Sequence, residues 1–414
     1  MARIAIAGSG ISGLVAANRL SKQGHEVVVF EAAKKIGGHV DTHRFAEVDG
    51  RTVAVDSGFI IFNDHTYPRF TALLRELGVA GQKTTMGLSV RDDQTGFEYN
   101  RHTLRSVFAQ KRNALSPAFF KMLGEAARFN REALPIAAAT PTNETIAGFL
   151  ERGGYSKKFR DHYVWPMIAA IWSQQGSGIA QVPVYFVARF FDNHGFLRFS
   201  KLVPWQVVKG GSATYVEALR RKCGARIETG CAVVAVARGP DGVVVDTARG
   251  TERFDYLVVA LHAPDALRVL RDPSPAESAI LGAIRYSPNR VVIHTDESIL
   301  PRREAARASW NYLVPADGGD GFVTYDLSML HGHTGSKRYL VSLNPPKRLI
   351  AGEKVLKVVD YDHPAFDHGA LLAQGRRQEI QGINRTWYVG AYWGNGFHED
   401  GVRSAEDIEV RDLK

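Results

Sequence analysis

Cysteine is nearly missing from this sequence: two occur in 414 residues, Cys223 and Cys231. Their spacing matches no zinc pattern. So few thiols exclude a disulfide-built fold and point to a reducing compartment. No apolar run reaches the roughly 18 residues that a membrane-spanning helix needs. No metal-ligand spacing and no Ser–His–Asp motif stands out, so no metal is expected. No nucleic-acid motif is present either. The 52 Lys and Arg against 43 Asp and Glu, formally +9, therefore describe either a generally solvated basic surface or one that meets an acidic partner such as anionic lipid. The apolar start at residues 4–7 runs into a glycine turn and not into a signal-peptide pattern. The expected location is cytoplasmic, with the inner membrane face as a peripheral site.

What is present is ordinary globular material, 45% hydrophobic and 23% charged. Single cores rarely grow past about 250–300 residues, so two or three domains are expected. There is no internal repeat and no low-complexity tract. Residues 3–7 read as a short buried strand, 14–23 as a helix and 26–30 as a second buried strand, which is βαβ order. From His65 to about Val203 the chain is richer in helical patterns, aromatics and basic residues. After Gly210 it returns to α/β, with a helix at 213–222 and strands near 226–228, 232–237, 243–246 and 256–260. Further strands fall at 290–294, 339–343 and 386–390. The expected fold is α/β, a Rossmann cofactor domain with an inserted mixed α+β substrate domain. The first comprises 1–64, 205–265 and 375–414; the second comprises 65–204 and 266–374.

Between the first strand and helix, Gly8, Gly10 and Gly13 fit G-x-G-x-x-G, with Ile11 and Ser12 between. The first glycine permits the tight turn, the second lets a pyrophosphate approach the backbone, and the third allows close packing of helix on strand. The helix N-terminus offers free N–H groups and a positive dipole end. Glu31 closes the second strand, where a carboxylate can bind ribose hydroxyls. Gly37 and Gly38 follow soon after, with His39, Val40, Asp41 and Thr42. Two glycines there let the backbone pass close beside a second bulky part of a ligand, where a simple NAD domain would continue as helix.

These elements resemble the flavin amine oxidase, protoporphyrinogen oxidase and phytoene desaturase superfamily. The resemblance implies a glutathione-reductase-like fold and FAD as cofactor. Gly37-Gly38 with Thr42 matches its Gly-Gly-x-x-x-Thr element, although His39 stands where Arg is usual. Asp56-Ser57-Gly58-Phe59 is similar to its Asp-x-Gly element near the flavin. The stretch from Gly390 to Val402, followed by a helix that Ser404 would cap, is similar to its C-terminal flavin motif. There the backbone around Gly401 and Val402 would meet the flavin with free N–H groups. Val233 matches the position whose backbone reads adenine, and Ala260 falls near the same end. The chain is most similar to a bacterial group of FAD-binding oxidoreductases, through 56–63, 171–173, 310–312 and 396–401. That group is often found beside or fused to cyclopropane-fatty-acid-synthase-type enzymes, which implies a lipid-modifying partner enzyme.

The implied reaction is oxidation or desaturation of an apolar substrate, a fatty-acyl or phospholipid-linked chain, by hydride transfer to flavin N5. The alternatives are a flavin amine oxidase and a non-catalytic flavoprotein redox sensor or partner. An amine oxidase usually adds an active-site lysine near 290–295, and no lysine occurs between residues 255 and 335. Trp393 and Phe397 are candidates for a wall against the substrate, or for packing under the cofactor domain. His398, with His39 and His262, is a candidate for a proton relay or a covalent flavin link, or for a hydrogen-bonding structural role. The aromatics Tyr185, Phe186, Phe190, Phe191, Phe196, Phe199 and Trp205 describe either a substrate tunnel or core. The basic and apolar stretch 101–131 describes either a helix lying on anionic lipid or one packing on its own domain.

Overall fold

Strands Arg3–Ala7 and Glu26–Glu31 are buried on both faces along most of their length. That is why they read as unbroken apolar runs: a parallel sheet is covered by helices on either side. The computed structural model describes residues 1–197 and 203–408. Its five-stranded sheet has the order Arg226–Thr229, Glu26–Glu31, Arg3–Ala7, Tyr256–Val259, Thr386–Tyr388. Every pairing in it is parallel. The strands come from three separated parts of the chain. Helix Ile11–Lys22 crosses between the first two strands. A three-stranded antiparallel sheet, Val233–Gly239, Gly242–Thr247 and Phe254 back to Gly250, is inserted before the fourth.

The rest is organised by a seven-stranded sheet. Its order is Val355–Pro364, Tyr286–His294, Leu340–Leu343, Phe322–Asp326, Trp310–Val314, Leu88–Asp92, Phe97–Asn100. All pairings are antiparallel except Trp310–Val314 with Leu88–Asp92. The hairpin of Leu88–Asp92 and Phe97–Asn100 lies in the region expected to be mainly helical. Helices Pro117–Ala138, Trp165–Trp172 and Val184–Asn193 pack on this sheet through one large apolar core.

The stretch 101–131 is not one helix. It forms a short helix at Leu104–Val107, a 3-10 turn at Lys111–Leu115, and the start of Pro117–Ala138. The breaks follow from local chemistry: Thr103 and Ser116 each accept a backbone N–H as N-caps, and Pro117 takes the first helical position. Phe119, Met122, Ala126 and Phe129 are buried, so the long helix uses its apolar face as core. Phe186, Phe190 and Phe191 are buried in the same core, while Phe199 lies outside the described residues.

Candidate active site

At the carboxyl ends of the parallel strands the backbone leaves no room for side chains. A Cβ on Gly13 would stand 2.0 Å from the Gly8 carbonyl oxygen. One on Gly58 would stand 2.0 Å from the His39 carbonyl oxygen. Gly8 has φ +100, and its Cβ would stand 2.6 Å from the Ala260 oxygen. A Cβ on Gly10, by contrast, meets nothing within 4 Å. Gly10 therefore faces open space at the N-terminus of helix Ile11–Lys22, the cradle a phosphate group fills. Glu31 reaches into the same place. One of its oxygens accepts from Ser9 N–H at 2.9 Å and from the Ser9 hydroxyl, and the other from Ala33 N–H at 2.8 Å. These residues fit the dinucleotide end of FAD.

The space opened there is a cavity of about 460 Å³. Its walls bring together Gly8, Gly10, Ile11, Ser12, Glu31, Gly37, Gly38, His39, Gly58, Phe59, Ala260, Gly390, Phe397 and His398. These candidates come from five separated stretches of the sequence. Gly13, Val40, Val233, Trp393, Gly401 and Val402 do not line it. Gly13 is used against the turn, as described. Val40 is buried and closes the glycine-pair turn, donating its N–H to the Gly37 oxygen at 3.0 Å. Val233 is half-buried at the start of the inserted antiparallel sheet.

The C-terminal motif differs from expectation. The last helix is His398–Glu406, so Ser404 is not its cap but sits near its end. The Ser404 hydroxyl donates to the Gly401 oxygen and accepts from Gly390 N–H. The N-cap is Phe397, whose N–H donates to Asp400 at 3.1 Å. Gly401 N–H is already committed to the Phe397 oxygen. The N–H groups outside the intrahelical ladder are thus those of His398, Glu399 and Asp400. A Cβ on Gly401 would stand 2.9 Å from Ile11 Cγ2 and 3.0 Å from Ser12 Oγ. Gly401 therefore lets this helix pack tightly on the first one, with both N-termini at the cavity. Val402 is fully buried in the same cluster as Ile11 and Leu14.

Trp393 and Phe397 have separate fates. Trp393 is buried beneath the parallel sheet, its indole N–H donating to the Tyr388 oxygen at 2.9 Å. It is not a cavity wall. Phe397 does line the cavity and stacks on Phe190 at 5.2 Å between ring centroids. His398 lies flat against Phe59 at 3.6 Å, and its Nε2 pairs with the Tyr215 hydroxyl at 2.7 Å. Burial pushes His398 down to about 3, so it is neutral near pH 7. Asp56 does not reach the cavity. It is fully buried, accepts from Ser212 N–H at 3.0 Å and from the Thr42 hydroxyl, and burial pushes it up to about 6.

Beyond the Gly58–Phe59 turn the walls become apolar: Ile61, Ile171, Trp172, Phe190, Phe196, Trp205, Trp310, Leu343 and Phe366. Trp172 is held by its indole N–H donating to the Asn395 oxygen at 3.2 Å. Ser173, also lining, closes helix Trp165–Trp172 with φ 56, a conformation that non-glycine residues rarely hold. His194 and His363 belong to the walls too, and sequence reasoning missed both. Each is an isolated histidine with no recurring spacing. The only usable signal for His194 is its place within the aromatic run from Tyr185 to Trp205, a pattern that fits tunnel and core alike.

The profile of the family described as flavin containing amine oxidoreductase matches residues 11–388. AofH of Mycobacterium tuberculosis, provisionally named a flavin-containing monoamine oxidase, is 27% identical over 285 residues, covering 66% of this chain and 59% of AofH. A 4,4'-diapophytoene desaturase of Staphylococcus aureus is 36% identical over 70 residues, 17% of this chain and 13% of the desaturase. The chain thus matches less than two thirds of the length of these curated relatives. Cyclohexylamine oxidase from Brevibacterium oxydans has the same fold, with a TM-score of 0.70 at 15% identity over 99% of this chain and 98% of that one. With the glycine cradle, Glu31 and both helix N-termini meeting at one cavity, the chain belongs to the flavin containing amine oxidoreductase family, whose cofactor is FAD.

Proposed function

We propose that this protein is an FAD-dependent oxidoreductase that removes hydride from carbon in an apolar substrate, of the class of fatty-acyl or phospholipid-linked acyl chains. One observation carries this reading. Among the described residues lining the cavity, the only formal charges are Glu31 and Asp265, and neither belongs to the aromatic half. Glu31 ends a parallel strand, and Asp265 stands in the first turn of helix Ala263–Val269. An ammonium group entering the aromatic half would lose its hydration with no carboxylate to meet it, a costly step. An acyl chain gains about 25 cal/mol for each Å² buried there. The name of the desaturase relative agrees with removal of hydrogen from a carbon chain.

When bound, FAD supplies the hydride-accepting chemistry. The protein's own residues exclude water and orient the chain. Trp172 packs on Phe186 and Phe190 at 5.2 and 4.8 Å, and Phe186 stacks on Phe366 at 5.0 Å, which makes a stiff aromatic wall. Burial pushes His194 down to about 4, so that wall stays uncharged at neutral pH. On the outer surface, Leu104, Leu115 and Phe120 are exposed, and Arg105, Lys111, Arg112 and Lys121 stand beside them in the sequence, also exposed. This mixture supports docking on anionic lipid, where a lipid-modifying enzyme is the partner class that fits.

Anaerobic mixing of the holoenzyme with acyl substrates and, separately, with primary amines tests the reaction. Bleaching of the flavin by acyl chains is expected; bleaching by amines alone overturns the reading. Flotation with anionic and neutral vesicles tests the surface. Binding that needs anionic lipid and weakens with salt is expected.

A further inference from the structure

Three histidines reach the cavity from three different segments. His39 follows the Gly37-Gly38 pair, His262 follows strand Tyr256–Val259, and His363 lies near the end of Val355–Pro364. The His39 ring centroid is 5.4 Å from that of His262 and 5.4 Å from that of His363. His363 Nδ1 is buried with no hydrogen-bond partner among the described residues. The cluster adjoins the glycine cradle, because a Cβ on Gly38, the residue before His39, would stand 3.2 Å from Gly10 Cα.

The charge balance of this site is unusual. No lysine or arginine occurs among the described lining residues, and the two formal charges, Glu31 and Asp265, are both negative. The FAD diphosphate is itself an anion. The N-terminus of helix Ile11–Lys22 offers only about half a positive charge. A buried anion without a matching cation is strongly disfavoured. The imidazoles are the remaining groups in the cavity that can become positive.

We propose that His39, His262 and His363 form the cationic part of the cofactor site, and that the cluster takes one proton from solvent as the FAD diphosphate enters. This rests on FAD as cofactor and not on the identity of the substrate. The proton comes from bulk water or buffer and goes to an imidazole nitrogen; no bond to FAD forms. The groups facing the cluster are few. Asp265 Oδ2 lies 3.9 Å from His262 Nδ1. Asp362 acts on His262 and His363, and His398 acts on His39. The phenols of Tyr286, 4.4 Å from His262, and Tyr361, 4.9 Å from His39, are pushed up by burial and stay neutral. Before FAD enters, burial pushes all three imidazoles down, His363 to about 4. They are then neutral near pH 7 and able to accept a proton.

Linkage gives the sign. A proton bound only with the anion makes FAD affinity rise as pH falls from the bound-state pKa towards the free-state one, by up to about tenfold per pH unit. The test uses the full chain stripped of flavin. FAD and, separately, ADP-ribose are titrated calorimetrically from pH 5.5 to 8.5, that is across about 3 pH units of the linkage window, in buffers of different ionisation enthalpy. Net proton uptake and tighter binding at lower pH are expected for both, because both carry a diphosphate esterified at both ends, which does not itself titrate in this range. H39R should keep FAD and lose part or all of the uptake, and H39Q should bind FAD at least about tenfold more weakly at pH 7. No uptake with FAD in the wild type overturns the proposal. Uptake with FAD but none with ADP-ribose also overturns it, since the charge sensed would then be on the flavin side. H39R with unchanged uptake removes His39 from the cluster.

Discussion

The two halves of the cavity are built from different materials. The cofactor half is made of backbone: Gly8, Gly13 and Gly58 place main chain against main chain at distances no Cβ allows, Gly38 packs tightly on Gly10, and Gly10 itself faces open space. The aromatic half is made of side chains, among them Ile61, Ile171, Trp172, Phe190, Trp310 and Phe397. The first half reads the shared chemistry of a dinucleotide and tolerates little change. The second can be repacked without disturbing the main chain, which is where a family changes its substrates.

The largest effect is expected inside the C-terminal motif. Trp393→Ala should lose about 3–5 kcal/mol of stability, as expected for a buried tryptophan, measured by denaturant unfolding. A stable, FAD-bound variant with slowed flavin reduction would return Trp393 to the substrate wall. The aromatic half also carries a titrating group. His194 has a folded pKa near 4 against an unfolded value of 6.5. The unfolded chain therefore binds the extra proton between these values, so the His194 contribution is present above pH 6.5 and lost as pH falls to 4. The loss amounts to about 3 kcal/mol at most. His194→Phe should unfold less steeply in acid than the wild type; equal pH profiles would show that His194 is protonated in the fold.

Gly10→Val places methyl groups in the open cradle. It should weaken FAD binding by about 1–3 kcal/mol while the melting temperature of the flavin-free protein stays unchanged. Full flavin occupancy in the purified variant would move the phosphate site elsewhere. Phe397→Ala should keep FAD and change flavin reduction most modestly, by about 1–2 kcal/mol in the rate, the scale of one trimmed wall contact. Loss of the flavin instead would make Phe397 part of the cofactor half.

The cofactor half was legible in the sequence because its constraints are local. A glycine that must lack a Cβ is visible as a glycine, and strands buried on both faces appear as runs such as Val27 to Phe30. The last helix was displaced because its cap is an aromatic residue. Phe397 carries no capping signature, while Asp400 supplies the hydrogen bond from inside the first turn. Ser404, a good cap on paper, serves Gly390 instead. The hairpin of Leu88–Asp92 and Phe97–Asn100 was missed although Leu88-Ser-Val-Arg and Phe97-Glu-Tyr-Asn alternate apolar and polar residues: the runs are short, and their polar positions are buried as well. His363 and His194 acquire meaning only when distant segments meet, which no spacing along the chain records.

One feature of the parallel sheet bears on how the protein is made. The strands holding Ala7 and Phe30 leave the ribosome well before the outer strand Thr386–Tyr388 and the Gly390–His398 wall. Glu399 then ties this late segment to the early helix Pro68–Leu77, accepting from the N–H groups of Arg69 and Phe70. Domains fold as they emerge where they can, but this cofactor chamber cannot close before residue 399 is in place. A polypeptide stalled before this point would carry the phosphate turn without its lid, so retained yellow colour would report that synthesis has passed residue 399.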